Sequence, residues 1–323
     1  MENKILITGS SGTIGSALCI KLTAKKKKFI PLDIKPFLWN DKIDKKTIRF
    51  DLRKSLTKTK LPFKPNMIIH LAANARVHDL VVNPKLALDN YMMIHNVLEY
   101  ARLHKIEKFI YASSREVYGE SSKPKRKEID THISNIKSPY TASKFGAEAL
   151  VHAYHECYNI KPVIIRFSNV YGRYDISERV VPLFIYYALR NRDMHIFGKG
   201  KKLDFTFIDD AIDGILKITN RFNKAKGHTF NLSKGKSEPL DKVAKLIINE
   251  LNSDSKIFYD KIRTGEISSY TGDITLANDL LNYNPKVSLE KGIKDSIIWY
   301  MDTMKSKRYL NIQKRNLKKR NWA

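Results

Sequence analysis

"KILITGSSGTIG", residues 4–15, is the stretch that decides the fold. A short apolar run leads into a glycine-rich loop, which predicts a buried strand followed by a helix. Gly9 permits the tight turn, Gly12 lets the backbone approach a pyrophosphate, and Gly15 permits close packing of the helix. The first turn of such a helix offers free N–H donors and a partial positive charge to phosphates. The stretch therefore predicts a dinucleotide site.

A carboxylate stands where a dinucleotide needs one. Asp33 ends the predicted second strand, "FIPLD", residues 29–33. It lies about 20 residues beyond the loop, where a carboxylate binds the adenosine ribose hydroxyls. Because it would repel a 2′-phosphate, we expect NAD rather than NADP.

Apolar runs continue along the chain at regular intervals and alternate with amphipathic helical stretches. The predicted buried strands are residues 4–8, 29–33, 67–73, 109–114 and 162–168. The predicted helices follow the glycine loop through Leu22 and cover about 86–104, 140–158, 241–251 and 289–301. Strands that alternate with helices of this length predict βαβ units and a parallel sheet.

Composition bounds the class of protein. The chain has 323 residues, of which 42% are hydrophobic, so it can bury a sizeable core. No apolar stretch reaches the roughly 18–20 residues needed to span a bilayer, and the N-terminus shows no signal-peptide pattern. The two cysteines, Cys19 and Cys157, form neither a metal-binding spacing nor a disulfide framework. We therefore expect a cytoplasmic protein without a membrane segment.

The formal net charge is +26, which raises the question of a nucleic-acid partner. The lysine runs are scattered among loops and helix ends, without aromatic interleaving, and solvated faces explain them better. The tail from Lys305 onward carries many cations and no acid. It is either a solvated arm or a weak contact for a polyanion.

"SPYTASK", residues 138–144, carries the chemistry. Tyr140 and Lys144 are four residues apart and share one face of the predicted helix. A tyrosine has a pKa near 10, about three units above neutral pH, so it is a poor base there. We expect the Lys144 ammonium and the positive nicotinamide to lower the pKa of Tyr140, which then takes a proton from a sugar hydroxyl. Ser114, at the end of the preceding strand, is placed to share that hydrogen bond.

At these residues the chain resembles the extended short-chain dehydrogenase/reductases, specifically the NAD-dependent epimerase/dehydratase family of nucleotide-sugar enzymes. The resemblance runs from Lys4 to about Trp299 and rests on eight motifs in the expected order. They are "TGSSGTIG" (8–15), "FDLR" (50–53), "HLAA" (70–73), "ASSREVYG" (112–119), "SPYTASK" (138–144), "RFSNVYG" (166–172), "DFTFIDD" (204–210) and "RTGE" (263–266).

The resemblance implies a site residue by residue. The implied NAD contacts are Gly9, Gly12, Thr13, Ile14, Gly15, Asp33, Asp51, Leu52, Leu71, Ala72, Ala73, Asn90, Tyr140, Lys144 and Phe167. Asn90 matches an asparagine that opens a long helix beneath the sheet. The implied substrate contacts are Ser114, Asn169 on the diphosphate and Arg263 on the nucleotide.

The implied activity is 4-epimerisation of a UDP-sugar. Tyr140, assisted by Ser114, removes the 4-hydroxyl proton while hydride passes to NAD, and the 4-keto sugar is reduced again on its other face. Lys144 also holds the nicotinamide ribose.

Two departures from the family pattern leave alternatives open. Leu203 stands where many members have an arginine before the "DF" pair. Glu116 matches the elimination base of the 4,6-dehydratases, but the neighbouring Arg115 stays protonated and cannot be their acid. A UDP-glucuronate decarboxylase and a nucleotide-sugar 4,6-dehydratase remain alternatives, and Glu116 is either catalytic or simply the partner of Arg115. A relative that senses a dinucleotide or binds RNA is the non-enzyme alternative.

The expected fold class is α/β, a Rossmann-like doubly wound parallel sheet with a smaller C-terminal substrate lobe. Residues 1–172 form the NAD-binding domain, 173–304 mainly the nucleotide-sugar lobe interlaced with it, and 305–323 a basic tail. By analogy with the family we expect a homodimer formed through helices 86–104 and 140–158. No histidine has metal-ligand companions, so we expect no metal.

Overall fold

The computed structural model describes residues 3–304, and the predicted basic tail at 305–323 lies outside these described residues. The strands are β1 Ile5–Thr8, β2 Phe29–Asp33, β3 Ile48–Arg49, β4 Met67–His70, β5 Lys108–Ser114, β6 Lys161–Phe167, β7 Asn169–Tyr171, β8 Met194–Phe197, β9 Lys202–Phe207, β10 Thr229–Leu232, β11 Ser237–Pro239 and β12 Ile257–Asp260. The helices are α1 Thr13–Ala24, α2 Asp41–Lys46, α3 Val77–Val82, α4 Lys85–Leu103, α5 Pro139–Tyr158, α6 Val180–Ala188, α7 Ile208–Asn220, α8 Phe222–Ala225, α9 Leu240–Leu251, α10 Thr275–Leu281 and α11 Leu289–Met304.

A seven-stranded parallel sheet forms the centre, in the order β10-β6-β5-β4-β1-β2-β3. Its inner strands are buried along nearly their whole length, because a core cluster packs on each face of the sheet. The strand order reverses between β1 and β4, and ligands of such sheets bind at the carboxyl ends beside this reversal. The predicted α/β, Rossmann-like doubly wound fold is confirmed.

The chain beyond residue 172 builds two small sheets and also completes the large one. β7, β9 and β11 form a three-stranded sheet, and β8 pairs with β12. β10 crosses back and pairs in parallel with β6. The proposed division at residue 172 therefore separates β10 along the chain from the other six strands of the main sheet, which all precede that residue.

Helix α5 carries the predicted catalytic pair, and its start is fixed locally. The Ser138 hydroxyl accepts a hydrogen bond from the Thr141 N–H at 3.1 Å, and Pro139 occupies the first helical position. The helix ends at Asn159, which adopts the left-handed conformation. These signals place Tyr140 in the first turn, next to the carboxyl edge of the sheet.

Two local predictions are corrected by the structure. β4 ends at His70, whose Nδ1 lies 2.7 Å from the Thr8 hydroxyl, so residues 71–73 form a loop and not the end of a strand. Asn90 does not open α4, which begins at Lys85 after Pro84. The Asn90 side chain instead accepts a hydrogen bond from the Asn74 N–H at 2.7 Å and donates one back to its carbonyl oxygen at 3.0 Å.

A buried ion pair ties α5 to the sheet. The Glu148 carboxylate on α5 accepts hydrogen bonds from the Arg166 Nε at 3.0 Å and Nη2 at 2.6 Å, and each side chain is only 5% exposed. The Ser113 hydroxyl on β5 also donates to Glu148. Arg166 Nη1 donates to the Tyr118 hydroxyl at 3.1 Å and to the Glu128 carbonyl oxygen at 2.6 Å. The pair therefore connects α5, β5 and β6 in one network.

No helix between residues 3 and 304 is long and apolar enough to cross a bilayer.

Removing one partner of the Glu148–Arg166 ion pair leaves an uncompensated buried charge. We expect Glu148→Ala to lower the free energy of unfolding by about 3–5 kcal/mol in urea denaturation. Asp295→Ala, which breaks an exposed pair with Lys291 on α11, is the matched control and costs less than about 1 kcal/mol. Equal losses in the two variants would contradict the structural role of Glu148.

Candidate active site

A cavity of about 440 Å³ lies at the carboxyl ends of the main sheet strands. Fourteen of the predicted site residues line it: Gly9, Gly12, Thr13, Ile14, Gly15, Leu71, Ala73, Ser114, Glu116, Tyr140, Lys144, Phe167, Asn169 and Arg263. The fold thus brings most of the predicted nucleotide, catalytic and substrate positions to one cavity.

The glycine loop is packed too tightly for side chains. Gly9 has φ +71°, and a Cβ there would lie 2.6 Å from the Ala72 nitrogen. A Cβ on Gly15 would lie 2.2 Å from the Gly9 carbonyl oxygen. Two glycines therefore allow the loop to fold against its own helix and against the loop that follows β4.

The start of α1 fits the pyrophosphate of a dinucleotide. Gly12 caps the helix in an extended conformation, and no side chain of the cap occupies its first N–H groups. A Cβ on Gly12 would meet only the Gly9 oxygen, at 3.4 Å, so the backbone here is open on the cavity side. Free donors, a helix dipole and an unobstructed backbone suit phosphate oxygens.

Asp33 lies beside this loop. Its Oδ2 accepts a hydrogen bond from the Ser11 N–H at 2.9 Å, and its Oδ1 accepts one from the Lys35 N–H at 2.8 Å. A carboxylate has about four acceptor positions, so it keeps capacity for ribose hydroxyls. The residues present therefore fit NAD.

The other residues predicted to contact the cofactor do not line the cavity but lie in the structure around it. Asp51 holds Arg53 with a hydrogen bond of 2.7 Å from Nη2, and this contact lowers the pKa of Asp51. Leu52 is buried, Ala72 packs against Gly9, and Asn90 braces the loop at Asn74. Their direct contact with NAD stays a prediction.

Tyr140 is 6% exposed and lies in the cavity with Ser114, where β5 ends opposite Phe167 of β6. Burial raises the pKa of Tyr140, while the Ser114 hydroxyl and the guanidinium groups of Arg179 and Arg115 lower it. Burial outweighs these groups, so the pKa of Tyr140 is raised and not lowered as expected from the sequence.

Lys144 acts differently from the sequence-based expectation. Its Nζ donates a hydrogen bond to the Ala112 carbonyl oxygen at 2.8 Å and lies 5.1 Å from the centroid of the Tyr111 ring. Burial raises the pKa of Tyr140, and the main cations that oppose this effect are Arg179 and Arg115 rather than Lys144. The reason is that the backbone of β5 holds the ammonium group.

Arg115 and Glu116 form a buried pair directly after β5, which ends at the predicted catalytic Ser114. The Arg115 Nη2 lies 2.8 Å from the Glu116 Oε1 and donates a hydrogen bond to the Asn169 Oδ1 at 3.2 Å. Burial raises the pKa of Glu116, while Arg115 and Lys201 lower it. The structural role foreseen for Glu116, pairing with Arg115, is present, and the residue also lines the cavity.

A second pair lies farther along the cavity. The Lys201 Nζ donates to the Glu266 Oε2 at 2.7 Å, and Arg263 lies 4.0 Å from the same carboxylate and 3.7 Å from the centroid of the Phe197 ring. Leu203 is buried in place of the arginine that many family members have.

Sequence reasoning missed the contributions of Arg179, Lys201 and Glu266. The last two flank or end quoted motifs, and this is the signal that could have found them. Arg179 lies in an irregular loop before α6 and belongs to no motif.

The part of the chain that the structure describes contains no set of side chains suited to bind a metal ion. Among residues 3–304 no group of three or more His, Cys, Asp or Glu side chains could hold a metal ion. His70 is a packed core side chain, and burial lowers its pKa to about 3, so it stays neutral.

Comparison with known proteins gives a consistent result. The model of a family described as "NAD dependent epimerase/dehydratase family" matches residues 5–233. An uncharacterised UDP-glucose epimerase of Bacillus subtilis is 32% identical over 312 residues, which cover 92% of this chain and 97% of that protein. A dTDP-D-glucose 4,6-dehydratase of Dictyostelium discoideum is 36% identical over 277 residues, which cover 76% of this chain and 62% of that protein.

A solved structure agrees over nearly the whole chain. The UDP-glucose 4-epimerase of Thermotoga maritima, crystallised with UDP-glucose, matches with a TM-score of 0.85 at 28% identity. The match covers 93% of this chain and 99% of that one.

The buried Lys144 should make stability depend on pH. Burial lowers its pKa from 10.5 to about 8. Between these values the unfolded chain binds a proton that the folded protein does not, so Lys144 stabilises the fold fully above pH 10.5 and loses this contribution as pH falls through about 8. We expect the stability difference between the parent and Lys144→Met, measured by urea denaturation from pH 7 to 10.5, to move in the parent's favour as pH rises. A flat difference would contradict the burial of this ammonium.

Proposed function

Because the chain belongs to the NAD dependent epimerase/dehydratase family, we propose that it catalyses the 4-epimerisation of a UDP-sugar through a 4-keto intermediate. Its cofactor is NAD, as the family description states. The chain is an enzyme of nucleotide-sugar chemistry, and the two UDP-glucose epimerases that match over most of its length support the finer assignment.

One observation carries the proposal. The Tyr140 phenol and the Ser114 hydroxyl line the same cavity as the glycine loop at the start of α1. A proton acceptor, a second hydroxyl and a dinucleotide cradle therefore face one space, which is the arrangement that oxidation of a secondary alcohol requires.

The residues divide the work. Held at the glycine loop, NAD would supply the acceptor for a hydride from C4 of the sugar and the donor of that hydride to the opposite face of the ketone. Tyr140 takes the proton of the 4-hydroxyl as the C4–H bond breaks, and gives it back when the ketone is reduced. Ser114 hydrogen-bonds the same oxygen, and Lys144, anchored on Ala112, holds the nicotinamide ribose. Asn169 and Arg263 hold the diphosphate and the nucleotide.

The orientation of the nucleotide follows from the charges of the cavity. Arg263 is 30% exposed at its side chain, and its contact with Glu266 is at the outer limit of an ion pair. Its guanidinium group is therefore available to the nucleotide of the substrate.

A dehydratase or a decarboxylase is the second candidate, and Glu116 favours it. The carboxylate is buried beside Tyr140 with a raised pKa, as an acid or base for elimination would be. Arg115, paired with Glu116 and always charged, cannot donate the proton that a departing hydroxyl needs. A 4-keto-6-deoxy product or release of carbon dioxide from UDP-glucuronate would identify these reactions.

We also propose that the enzyme is a homodimer and that it is cytoplasmic. We propose that residues 1–172 form its NAD-binding domain and residues 173–304 mainly its substrate lobe. Apolar side chains on α4 support the dimer, since Leu88 is 69%, Met92 49% and Tyr91 43% exposed. A second copy would cover them with the same surface. Two free cysteines fit a reducing compartment.

Removing the phenolic hydroxyl should abolish the proton transfer. We expect Tyr140→Phe to lower the rate of UDP-sugar 4-epimerisation by about 10²–10⁴-fold, measured on UDP-glucose, UDP-N-acetylglucosamine and UDP-glucuronate by chromatography of the sugar products. Tyr154→Phe, on the same helix but bonded to Glu99, is the matched control and should retain the parent rate. A fully active Tyr140→Phe variant would overturn the mechanism.

Charges placed on the exposed face of α4 should separate the dimer. We expect the double variant Leu88→Lys/Met92→Lys to sediment as a monomer in analytical ultracentrifugation, because two cations would face their symmetry copies. Ile129→Lys, at an 86% exposed position away from α4, should leave the sedimentation unchanged. A dimer that persists in the double variant excludes this surface.

A further inference from the structure

The pair that follows Ser114 is the least satisfied polar feature of the cavity. The side chains of Arg115 and Glu116 are 9% and 8% exposed, and both residues line the cavity. Two of the polar atoms of the pair have partners, since Arg115 Nη2 contacts both Glu116 Oε1 and Asn169 Oδ1. Two others, Arg115 Nη1 and Glu116 Oε2, have no hydrogen-bond partner.

Unpartnered buried polar atoms are costly, and a ligand that supplies partners relieves this cost. The pair offers one donor, Nη1, and one acceptor, Oε2. The two atoms are sealed from water in this conformation, so a small rotation of the side chains toward the cavity must accompany contact with a ligand. The matching ligand group both accepts and donates, as a hydroxyl or an amide does, whereas a carboxylate only accepts.

The charges of the inner cavity point the same way. Arg115 is neutralised by Glu116 at 2.8 Å, and Lys201 by Glu266 at 2.7 Å. A sugar carboxylate placed here would add a negative charge next to buried carboxylates whose cations are already engaged. Arg179, which also acts on Tyr140, is half-buried, and its Nη2 donates a hydrogen bond to the Ala75 carbonyl oxygen at 3.5 Å.

Resting on the proposed function, we propose that the Arg115–Glu116 pair determines specificity, binding an uncharged hydroxyl or acetamido group of the sugar and rejecting nucleotide-linked uronic acids. The pair then contacts the sugar, while Arg263 binds the nucleotide. It also makes UDP-glucuronate decarboxylation the less suitable of the alternative reactions for this cavity.

Equilibrium binding tests the proposal without depending on turnover. Titration calorimetry on the NAD-loaded protein compares UDP-glucose and UDP-N-acetylglucosamine with UDP-glucuronate. We expect UDP-glucuronate to bind at least about tenfold more weakly than the better neutral sugar. In Glu116→Gln the charge is gone and Arg115 is free for a carboxylate, so the dissociation constants should come within about threefold of one another.

Two variants serve as controls. Glu116→Asp keeps the charge and should keep most of the discrimination. Glu120→Gln removes a carboxylate that is outside the cavity lining and accepts a hydrogen bond from the Ser268 hydroxyl, and it should leave the ratio of dissociation constants unchanged.

The outcomes separate this inference from the proposed function. Preferred binding of UDP-glucuronate by the parent, or an unchanged ratio in Glu116→Gln, would overturn the inference even if the enzyme epimerises its substrate. Selective binding of neutral sugars without any 4-epimer would uphold the inference and overturn the proposed reaction.

Discussion

The rest of the site depends on the ion pair between Glu148 and Arg166. Glu148 lies one turn beyond Lys144 on α5, and Arg166 directly precedes Phe167 at the end of β6. The hydrogen bonds of this ion pair therefore hold α5, with the proposed catalytic pair, against the strands that end in Ser114 and Phe167. Because both charges are buried, each is compensated only in this one arrangement. The position of Tyr140 over the cavity follows from it.

Burial of that helix sets the electrostatics. Tyr140 and Lys144 are both enclosed, and burial disfavours the charged form of each: it raises the pKa of the phenol and lowers that of the ammonium. Ser114 and the guanidinium groups of Arg115 and Arg179 oppose the effect on the phenol. The two side chains of the proposed acid/base pair thus lie where little solvent reaches them, and small changes of nearby charge have large effects there.

Local sequence patterns made the core of the fold predictable, together with most of the residues that line the cavity. The glycine loop, the Ser-Pro start of α5 and the apolar strands each act over a few residues, so their signals survive in the sequence. The pairs that shape the substrate end do not: Lys201 and Glu266 are 65 residues apart in the chain, and only the fold brings them together. Arg179 lies in an irregular loop, so no sequence pattern indicates its role. The hydrogen bond from Lys144 to a backbone carbonyl oxygen has no sequence signature either.

The return of β10 to the edge of β6 affects how the chain is made. On the ribosome, the run "KPVIIRF" of β6 emerges well before residues 229–232 that will cover its edge. At about 5–20 residues per second, that apolar edge waits for several seconds without a neighbour. During this interval it is a template for pairing with another nascent chain. Expression at lower temperature, or with a chaperone that shields exposed strands, would reduce pairing between chains during this interval and would not change the folded protein.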